Sequence, residues 1–509
     1  MTVSTDKGAV AGVTADGVDR FLGIPYAAPP VDARRWQPPA PAPAWSGVRQ
    51  ATAFGSRCMQ PYGAGMSEDC LYLNVYTPEQ RTNRPLPVMV WIHGGGFSSG
   101  SGADNDGSLL AKTNNIVVVS INYRLNVFGF LSLPGLSNQG AGNYGLLDQE
   151  AALRWTQRNI RAFGGDPRKV TIAGESAGGH SVCALMASPS ARGLFTGAII
   201  QSGGCPSHTA AQAAARGKDY ATAAGCTDPA TSVSCLRGLT SQALEAAGRG
   251  FIGGILTGPL PVSGTPELPL APADAVRSGQ YNKVPLMIGS TRDEVRGWAL
   301  PFANATKEQY ERAIRLEFGA QADAVLAHYP YSAYPSPYTG TYAISSVWDD
   351  SSVFYGLGGC QYQNLTARFA ARQPRTYFYE FDDPHPPAYA PGGSYAPPGF
   401  DPGAPHGSEL PYLFPSQAST LLTAEQRQLS DAMVRYWGSF VSNANPTAIG
   451  QAAWPPYRSG RYMSLLPGDN SHAFKTEAFE TQHQCSFWNS IDYDWLTLNP
   501  DQLAQRASS

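Results

Sequence analysis

The sequence predicts an α/β fold with a mainly parallel central sheet, flanked by helices and extended by large insertions. Two helix-length segments, Gly145 to Ala162 and Ala177 to Ala187, lie between short apolar runs, which favours βαβ units. Because these runs are continuously apolar, they match parallel strands that are buried on both faces of a sheet. Six β-branched or aromatic runs are the strand candidates: Val88 to Ile92, Ile116 to Ile121, Val170 to Ala173, Gly197 to Ile200, Val284 to Ile288 and Thr376 to Phe381.

The domain organisation follows from length and composition. A chain of 509 residues with 42% hydrophobic residues can bury a large core. No low-complexity linker divides it, so we expect a single domain over residues 1–509, with inserted loop and helical segments over the functional site. The Pro/Gly-rich segment 382–405 is the longest irregular stretch, and a loop of that length is commonly a wall or lid. The alternative interpretation is that segment 382–405 is a mobile surface loop without a function.

Charge and hydropathy exclude several partners. The formal net charge is -3, only 15% of residues are charged, and no block of five or six like charges occurs. Neither nucleic acid nor an anionic membrane is therefore expected, and the substrate is expected to be small or neutral. The longest apolar runs are far shorter than the roughly 20 residues that cross a bilayer. The opening residues MTVSTDKGAV also lack the basic and apolar regions of a signal peptide.

The eight cysteines indicate disulfides rather than a metal site. Two pairs are close in sequence within Gly/Ser/Thr-rich segments, as expected for cystines that staple loops. No C-x-x-C or H-x-x-x-H cluster occurs, so neither zinc nor another cofactor is predicted. The cysteines thus predict an oxidising compartment and a secreted or extracytoplasmic protein. Isolated buried thiols remain the alternative for Cys183 and Cys205.

The pentapeptide Gly174-Glu175-Ser176-Ala177-Gly178 is a G-x-S-x-G motif. It follows the predicted strand VTIA and precedes a predicted helix, the order in which a nucleophile elbow is built. Glycines two residues either side of Ser176 allow strand and helix to approach closely, and the helix N-terminus favours negative charge on the hydroxyl. An ordinary glycine turn would not require this order, so Ser176 is the predicted nucleophile.

A second glycine motif, WIHGGGF, follows a predicted strand. Its glycines leave backbone N–H groups unobstructed, which matches the HGGG type of oxyanion hole in lipases and esterases. We assign Gly95, Gly96 and Ala177 as the donors, and we expect His93 to support the loop. A phosphate-binding loop is the alternative, but no G-x-x-x-x-G-K-[ST] pattern surrounds these glycines.

The order of residues narrows the choice of base. In α/β-hydrolases the chain order is Ser, then Asp or Glu, then His. The base is expected late in the chain, after further strands, and this reduces the candidate histidines to His385, His406, His472 and His483. We select His406 in the segment APHGSEL, although composition alone does not exclude His385 in the same proline-rich loop.

Two adjacent carboxylates are candidates for the acid. Asp293 and Glu294 follow the predicted strand VPLMI, and α/β sites are built at the carboxyl ends of strands. Adjacent side chains point in different directions, so one is expected to orient the imidazole and the other to make a structural contact. Glu175 is not expected to be this acid, because next to Ser176 on a tight turn its side chain should project away from the hydroxyl and into a buried polar contact.

Taken together, the motifs resemble the type-B carboxylesterase and cholinesterase-like family, which has the α/β-hydrolase fold. The resemblance extends from Gly8 to Trp488 and implies ester hydrolysis through an acyl-enzyme intermediate. It is carried by these stretches: FLGIPYA, SEDCLYLNVYTP, WIHGGGF, NYRLNVFGFL, GNYGLLDQ, FGGDP, GESAGG and IIQSGG.

The resemblance also implies residue roles. It places the triad on Ser176, Glu294 and His406, so that Glu294 rather than Asp293 is the acid. It further implies that the Ser202 hydroxyl lies behind the triad. Three disulfides are implied, Cys58 with Cys70, Cys226 with Cys235 and Cys360 with Cys485, which leaves Cys183 and Cys205 unpaired.

One departure bears on the substrate. Only eleven residues lie between Cys58 and Cys70, and none is the tryptophan on which cholinesterases stack quaternary ammonium groups. Choline esters are therefore not expected to be the substrates. The expected substrates are neutral small-molecule esters with apolar or aromatic groups. The rival functions are a catalytically inactive binding module, against which the intact triad argues, and hydrolysis of amides, lactones or carbamates by the same acyl chemistry.

Overall fold

The central feature of the computed structural model is an 11-stranded sheet. The structure describes residues 1–509 except 81–83, 137–140, 253–257, 352, 354–355, 388–395, 417 and 493–499. Part of the proline-rich segment 382–405 thus lies outside the described residues. In chain order the strands are β1 (Val13–Ala15), β2 (Val18–Pro25), β3 (Tyr72–Pro78), β4 (Leu86–Ile92), β5 (Val117–Ile121), β6 (Gly165–Glu175), β7 (Gly197–Gln201), β8 (Leu286–Thr291), β9 (Thr376–Phe381), β10 (Arg461–Leu465) and β11 (His472–Lys475).

The strand order across the sheet is β11-β10-β9-β8-β7-β6-β4-β5-β3-β2-β1. The strands from β10 to β5 run parallel to one another, whereas the strands beyond them at either edge pair antiparallel. The prediction of a mainly parallel sheet is confirmed, and all six predicted strands are present. Two short strand groups lie outside this sheet: Thr2–Ser4 with Ala9–Ala11 and Val48–Gln50, and His208–Thr209 with Val262–Ser263.

The helices cover the sheet, and both predicted helices are present. Among the described residues, no helix has the length and apolarity needed to cross a bilayer. The α-helices are Ser108–Asn114, Asn126–Phe130, Tyr144–Asn159, Ala177–Ala187, Ala210–Ala223, Ser232–Gly238, Ser241–Ile252, Pro272–Ser278, Lys307–Phe318, Ala322–His328, Thr339–Ser351, Gly359–Arg372, Leu410–Leu413, Ala424–Asn443, Thr476–Gln482, Cys485–Trp488 and Pro500–Ser508.

Alternate residues of the central strands enter two separate cores. In β4, Val88 and Val90 belong to one buried cluster, while Met89 and Trp91 belong to the cluster on the opposite face. Successive strand side chains point to opposite faces, so a strand buried on both faces must be apolar throughout. Helix Ala424–Asn443 covers the second face, so the sheet is buried on both sides.

The three disulfides implied by the family resemblance are present, but the expectation that Cys183 and Cys205 are unpaired is wrong. These two cysteines form a fourth disulfide with a Cα–Cα distance of 5.4 Å. Cys183 lies on helix Ala177–Ala187, and Cys205 follows β7. A Cβ on Gly203 would lie 2.6 Å from the Cα of Gly179, so two glycines bring this helix and the segment after β7 into contact. That approach places the cysteines within bonding reach.

His483, one of the candidate bases, is instead held between two buried carboxylates. Its Nδ1 lies 2.7 Å from Asp350 Oδ1 and its Nε2 lies 2.6 Å from Glu380 Oε1. Burial alone would lower the pKa of His483, but Glu380 and Asp350 together raise it well above the usual value. The charged imidazolium thus joins three segments that are distant in sequence, and it lies two residues from Cys485 of the longest disulfide loop.

We expect His483→Gln to lower the free energy of unfolding at pH 6 by about 3 kcal/mol, because it leaves two buried carboxylates without their cation. A raised folded-state pKa contributes stability that is complete below the unfolded histidine pKa of about 6.5 and is lost as pH rises through the folded value. Denaturant unfolding at several pH values should therefore show a gap from wild type that narrows at alkaline pH. His472→Gln, at an exposed position, is the control. A gap that widened with pH would contradict this account.

Candidate active site

Ser176 lies on a sharp turn between β6 and helix Ala177–Ala187. Its backbone has φ 56° and ψ -124°, a conformation that non-glycine residues rarely adopt. The turn is held because the Ser176 amide donates to the carbonyl of Gln201 at 2.9 Å and the His180 amide donates to the Ser176 carbonyl at 2.9 Å. A Cβ on Gly178 would lie 2.0 Å from the Ile92 carbonyl oxygen, so only glycine permits this packing. The strand, sharp turn and helix that the sequence predicts around Ser176 are therefore present.

The glycine segment after β4 lies against this turn. A Cβ on Gly94 would lie 2.7 Å from Glu175 Oε2 and 3.0 Å from Ser176 Cβ. Gly95 and Gly96 both have positive φ, 98° and 60°, so they carry the chain around the elbow. Within the described part of the chain, the Gly95 and Gly96 amides donate to no other protein group.

His93 lies beneath the glycine segment. Its ring stacks on Tyr123 with a centroid distance of 4.4 Å, and its Nδ1 donates to the Gly94 carbonyl at 2.8 Å. Burial lowers the pKa of His93 to about 4, so the ring is neutral at ordinary pH. These contacts fit the expectation that His93 supports the loop.

The structure brings Glu294 and His406 together. Glu294 Oε2 accepts from His406 Nδ1 at 2.5 Å, and the His406 amide donates to the Glu294 carbonyl at 3.1 Å. The other carboxylate oxygen of Glu294 accepts from the Thr291 amide at 3.1 Å. The Trp298 ring packs against the imidazole with a centroid distance of 5.2 Å. The imidazole is thus fixed at Nδ1, and its Nε2 has no hydrogen-bond partner among the described residues.

The local sequence pattern left open which of Asp293 and Glu294 makes the structural contact. In the structure it is Asp293. Its Oδ2 accepts from the Ala404 amide at 2.8 Å and from Arg292 Nε at 3.0 Å, and its Oδ1 pairs with Arg296. The Asp293 amide in turn donates to the Ala404 carbonyl at 3.0 Å. Asp293 therefore ties the segment before His406 to the segment that carries Glu294.

Glu175 is buried, as expected, but it contacts the histidine. Its Oε1 lies 3.1 Å from His406 Nε2, without the alignment of a hydrogen bond. The burial of the Glu175 side chain agrees with the expectation from the sequence, whereas its contact with the imidazole was not foreseen. The Glu175 carboxylate thus lies between the glycine segment, where a Cβ on Gly94 would approach Oε2, and His406.

Ser202 lies directly after β7 and is completely buried, with φ 45°. Its amide donates to the Gly289 carbonyl at 2.8 Å, which ties it to β8. Its hydroxyl has no hydrogen-bond partner in the described part of the chain. The role of this hydroxyl behind the triad stays a prediction. In the same part of the chain, no group of three or more His, Cys, Asp or Glu side chains is arranged to hold a metal ion.

Comparison with known proteins decides the family. The model of the carboxylesterase family matches residues 1–488. The chain belongs to the carboxylesterase family. Fumonisin B1 esterase of Sphingopyxis macrogoltabida is 36% identical over 500 residues, which cover 91% of this chain and 85% of the relative. Para-nitrobenzyl esterase of Bacillus subtilis is 35% identical over 489 residues, covering 91% of this chain and 94% of the relative.

A solved structure confirms the fold of this carboxylesterase. PNB esterase superimposes with a TM-score of 0.77 at 33% identity, covering 95% of this chain and 99% of that chain. The α/β-hydrolase fold predicted from the sequence is therefore shown, and the chain is an enzyme of the carboxylesterase type.

Three buried carboxylates surround the imidazole of this carboxylesterase. Burial raises the pKa of Glu175 to about 8 and that of Glu409 to about 7. Burial lowers the pKa of His406, but Glu175 and Glu294 oppose it more strongly and raise the value to about 9. Glu409 was not singled out from the sequence, although it lies three residues after His406; its Oε1 accepts from Gln201 Nε2 at 3.1 Å.

We expect Glu175→Gln to move the acid limb of the kcat/KM profile to lower pH by about one unit or more, because a nearby carboxylate stabilises the imidazolium. The limb follows the essential base of the free enzyme, which must be neutral to accept a proton. Initial rates with a p-nitrophenyl ester from pH 5 to 10 measure it, with the exposed Glu477→Gln variant as the control. If the acid limb stays at the same pH, the prediction is wrong, and Glu175 is already uncharged at the pH where the His406 imidazole titrates.

Proposed function

We propose that this carboxylesterase hydrolyses esters through an acyl-enzyme formed on Ser176, with His406 as general base and Glu294 as the acid that orients it. The observation that carries the proposal is the 2.5 Å contact between Glu294 Oε2 and His406 Nδ1 beside the elbow. A carboxylate at Nδ1 fixes the imidazole tautomer, so Nε2, which makes no hydrogen bond to the described residues, is the atom that accepts a proton when the ring is neutral. The strained turn that presents Ser176 at a helix N-terminus supports the same assignment.

The proposed reaction has two stages. His406 Nε2 takes the Ser176 proton while the hydroxyl oxygen attacks the ester carbonyl carbon, and it returns that proton to the leaving alcohol. A water molecule then loses a proton to His406 and attacks the acyl-enzyme; the bond to Ser176 breaks, His406 returns the proton to the serine oxygen, and the acid is released. The Gly95, Gly96 and Ala177 amides donate to the carbonyl oxygen while it carries negative charge. Glu294 stabilises the imidazolium in both stages.

The proposed substrates are neutral esters with apolar or aromatic groups. Trp298 beside His406 offers an aromatic surface for such a substrate. Two of the relatives carry the names fumonisin B1 esterase and para-nitrobenzyl esterase. The short Cys58–Cys70 loop, which lacks tryptophan, argues against choline esters.

We further propose that residues 1–509 act as one catalytic domain in an oxidising, extracytoplasmic compartment. The four disulfides support the compartment, because such bonds persist where thiols are not kept reduced. The single 11-stranded sheet supports the domain assignment, since it is assembled from strands between residues 13 and 475.

The test of this function is hydrolysis of a short-chain p-nitrophenyl ester by wild type and Ser176→Ala. We expect kcat to fall at least about 10⁴-fold in the variant, because the acyl-enzyme can no longer form. A p-nitrophenyl phosphonate should label wild type once, on the peptide that contains Ser176, as read by mass spectrometry. Ser490→Ala, at an exposed serine, should retain both activity and labelling. A label elsewhere, or an active Ser176→Ala variant, would contradict the proposal.

A further inference from the structure

The short disulfide loop between Cys58 and Cys70 contains a buried glutamine that faces the glycine segment. Gln60 has an exposed fraction of only 3%. Its Nε2 donates to the Gly100 carbonyl at 3.0 Å, and its Oε1 accepts from the Gly100 amide at 3.1 Å. Because one side-chain amide satisfies both backbone groups of a single residue, its orientation is fixed without ambiguity. A further bond from Nε2 to the Cys58 carbonyl at 3.0 Å anchors the side chain to the disulfide.

Gly100 closes the segment 94–100, which we call the oxyanion loop. Gly100 has φ 103°, and a Cβ there would lie 2.4 Å from His93 Nδ1 and 2.8 Å from the Gly94 carbonyl oxygen. Its backbone therefore lies directly on the residues where the loop begins. The Ser98 and Ser99 amides both donate to the Gly95 carbonyl at 3.0 Å, so the loop folds back on itself.

A second contact joins the same two loops. The Asn126 side chain donates from Nδ2 to the Met59 carbonyl at 2.9 Å, while the Asn126 amide donates to the Phe97 carbonyl at 2.7 Å. The disulfide loop thus touches the oxyanion loop directly at Gly100 and indirectly at Phe97. The disulfide loop is therefore placed where it can brace the loop that carries Gly95 and Gly96.

We propose that Gln60 is a positioning residue that holds the amides of Gly95 and Gly96 where the negative charge develops. This inference rests on the proposed function. Preorganised donors stabilise a transition state without reorganising during the reaction, and a displacement of about 1 Å can lower the rate about 10²-fold. Gln60 lies beneath the loop and is almost inaccessible to substrate, so its loss should affect the tetrahedral intermediate and not the bound ester.

The experiment compares wild type, Gln60→Ala and Gln60→Glu, each normalised to the number of sites titrated by a p-nitrophenyl phosphonate. The Ala variant loses both bonds to Gly100, and the Glu variant has a similar shape but cannot donate to the Gly100 carbonyl when ionised. Ser67→Ala is the matched control, because the Ser67 hydroxyl lies in the same disulfide loop and accepts from the Asp69 amide at 3.0 Å.

We expect kcat per titrated site to fall about 10-fold or more in both Gln60 variants, by analogy with a weakened oxyanion hole, with KM changed less than about two-fold. Affinity for a trifluoromethyl ketone, which forms a tetrahedral oxyanion on the serine, should fall by a similar factor. Ser67→Ala should match wild type in all three measurements. Normalisation removes the effect of misfolded protein, which would lower the titrated fraction and not the rate per site.

Two outcomes would overturn the inference. Unchanged kcat per site and unchanged ketone affinity in both variants would show that Gln60 does not position the donors. An increase in KM equal to the loss in kcat/KM would show that Gln60 acts on substrate binding. If wild type neither reacts with the phosphonate at Ser176 nor binds the ketone, the proposed function itself has failed, and that result is distinct from both outcomes.

Discussion

The backbone conformation of Ser176 depends on the approach of three segments that only glycine allows. Gly174 and Gly178 meet across the turn, and Gly178 also lies against the carbonyl of Ile92 at the end of β4. A side chain at any of these contacts would separate β4, β6 and the helix that begins at Ala177. The oxyanion loop, Ser176 and the helix N-terminus are therefore positioned by one set of backbone contacts, and the close-packed cores on the two faces of the sheet support them.

The electrostatics of the site follow from the same close packing. Water is excluded from the carboxylates of Glu175, Glu294 and Glu409, so burial raises the pKa values of Glu175 and Glu409. Glu175 and Glu294 favour the imidazolium of His406, which is the species that the proposed mechanism forms when Ser176 loses its proton. In the proposed mechanism this arrangement stabilises the charge separation of the acylation step, while it requires that not all of the carboxylates be ionised at once.

Much of this architecture could be predicted from the sequence, because the strands and the elbow are local patterns. The apolar runs predict the central strands, and the strand, G-x-S-x-G and helix succession predicts the turn at Ser176. Contacts between residues that are distant in sequence could not be predicted from local patterns in the same way. Asp293 and Glu294 are equivalent by local pattern, and only the family resemblance favoured Glu294. The Cys183–Cys205 disulfide was missed because it depends on the packing of Gly179 against Gly203, which no spacing rule reveals.

The central claim is that the amides of Gly95, Gly96 and Ala177 converge on the oxygen of an adduct at Ser176. A crystal structure of the protein after reaction with a p-nitrophenyl phosphonate tests this most directly. Our account predicts a phosphorus–oxygen bond to Ser176 Oγ, with a phosphoryl oxygen about 3 Å from the three amide nitrogens and His406 Nε2 facing the serine oxygen. A phosphoryl oxygen directed to solvent, or an adduct on another residue, would contradict it.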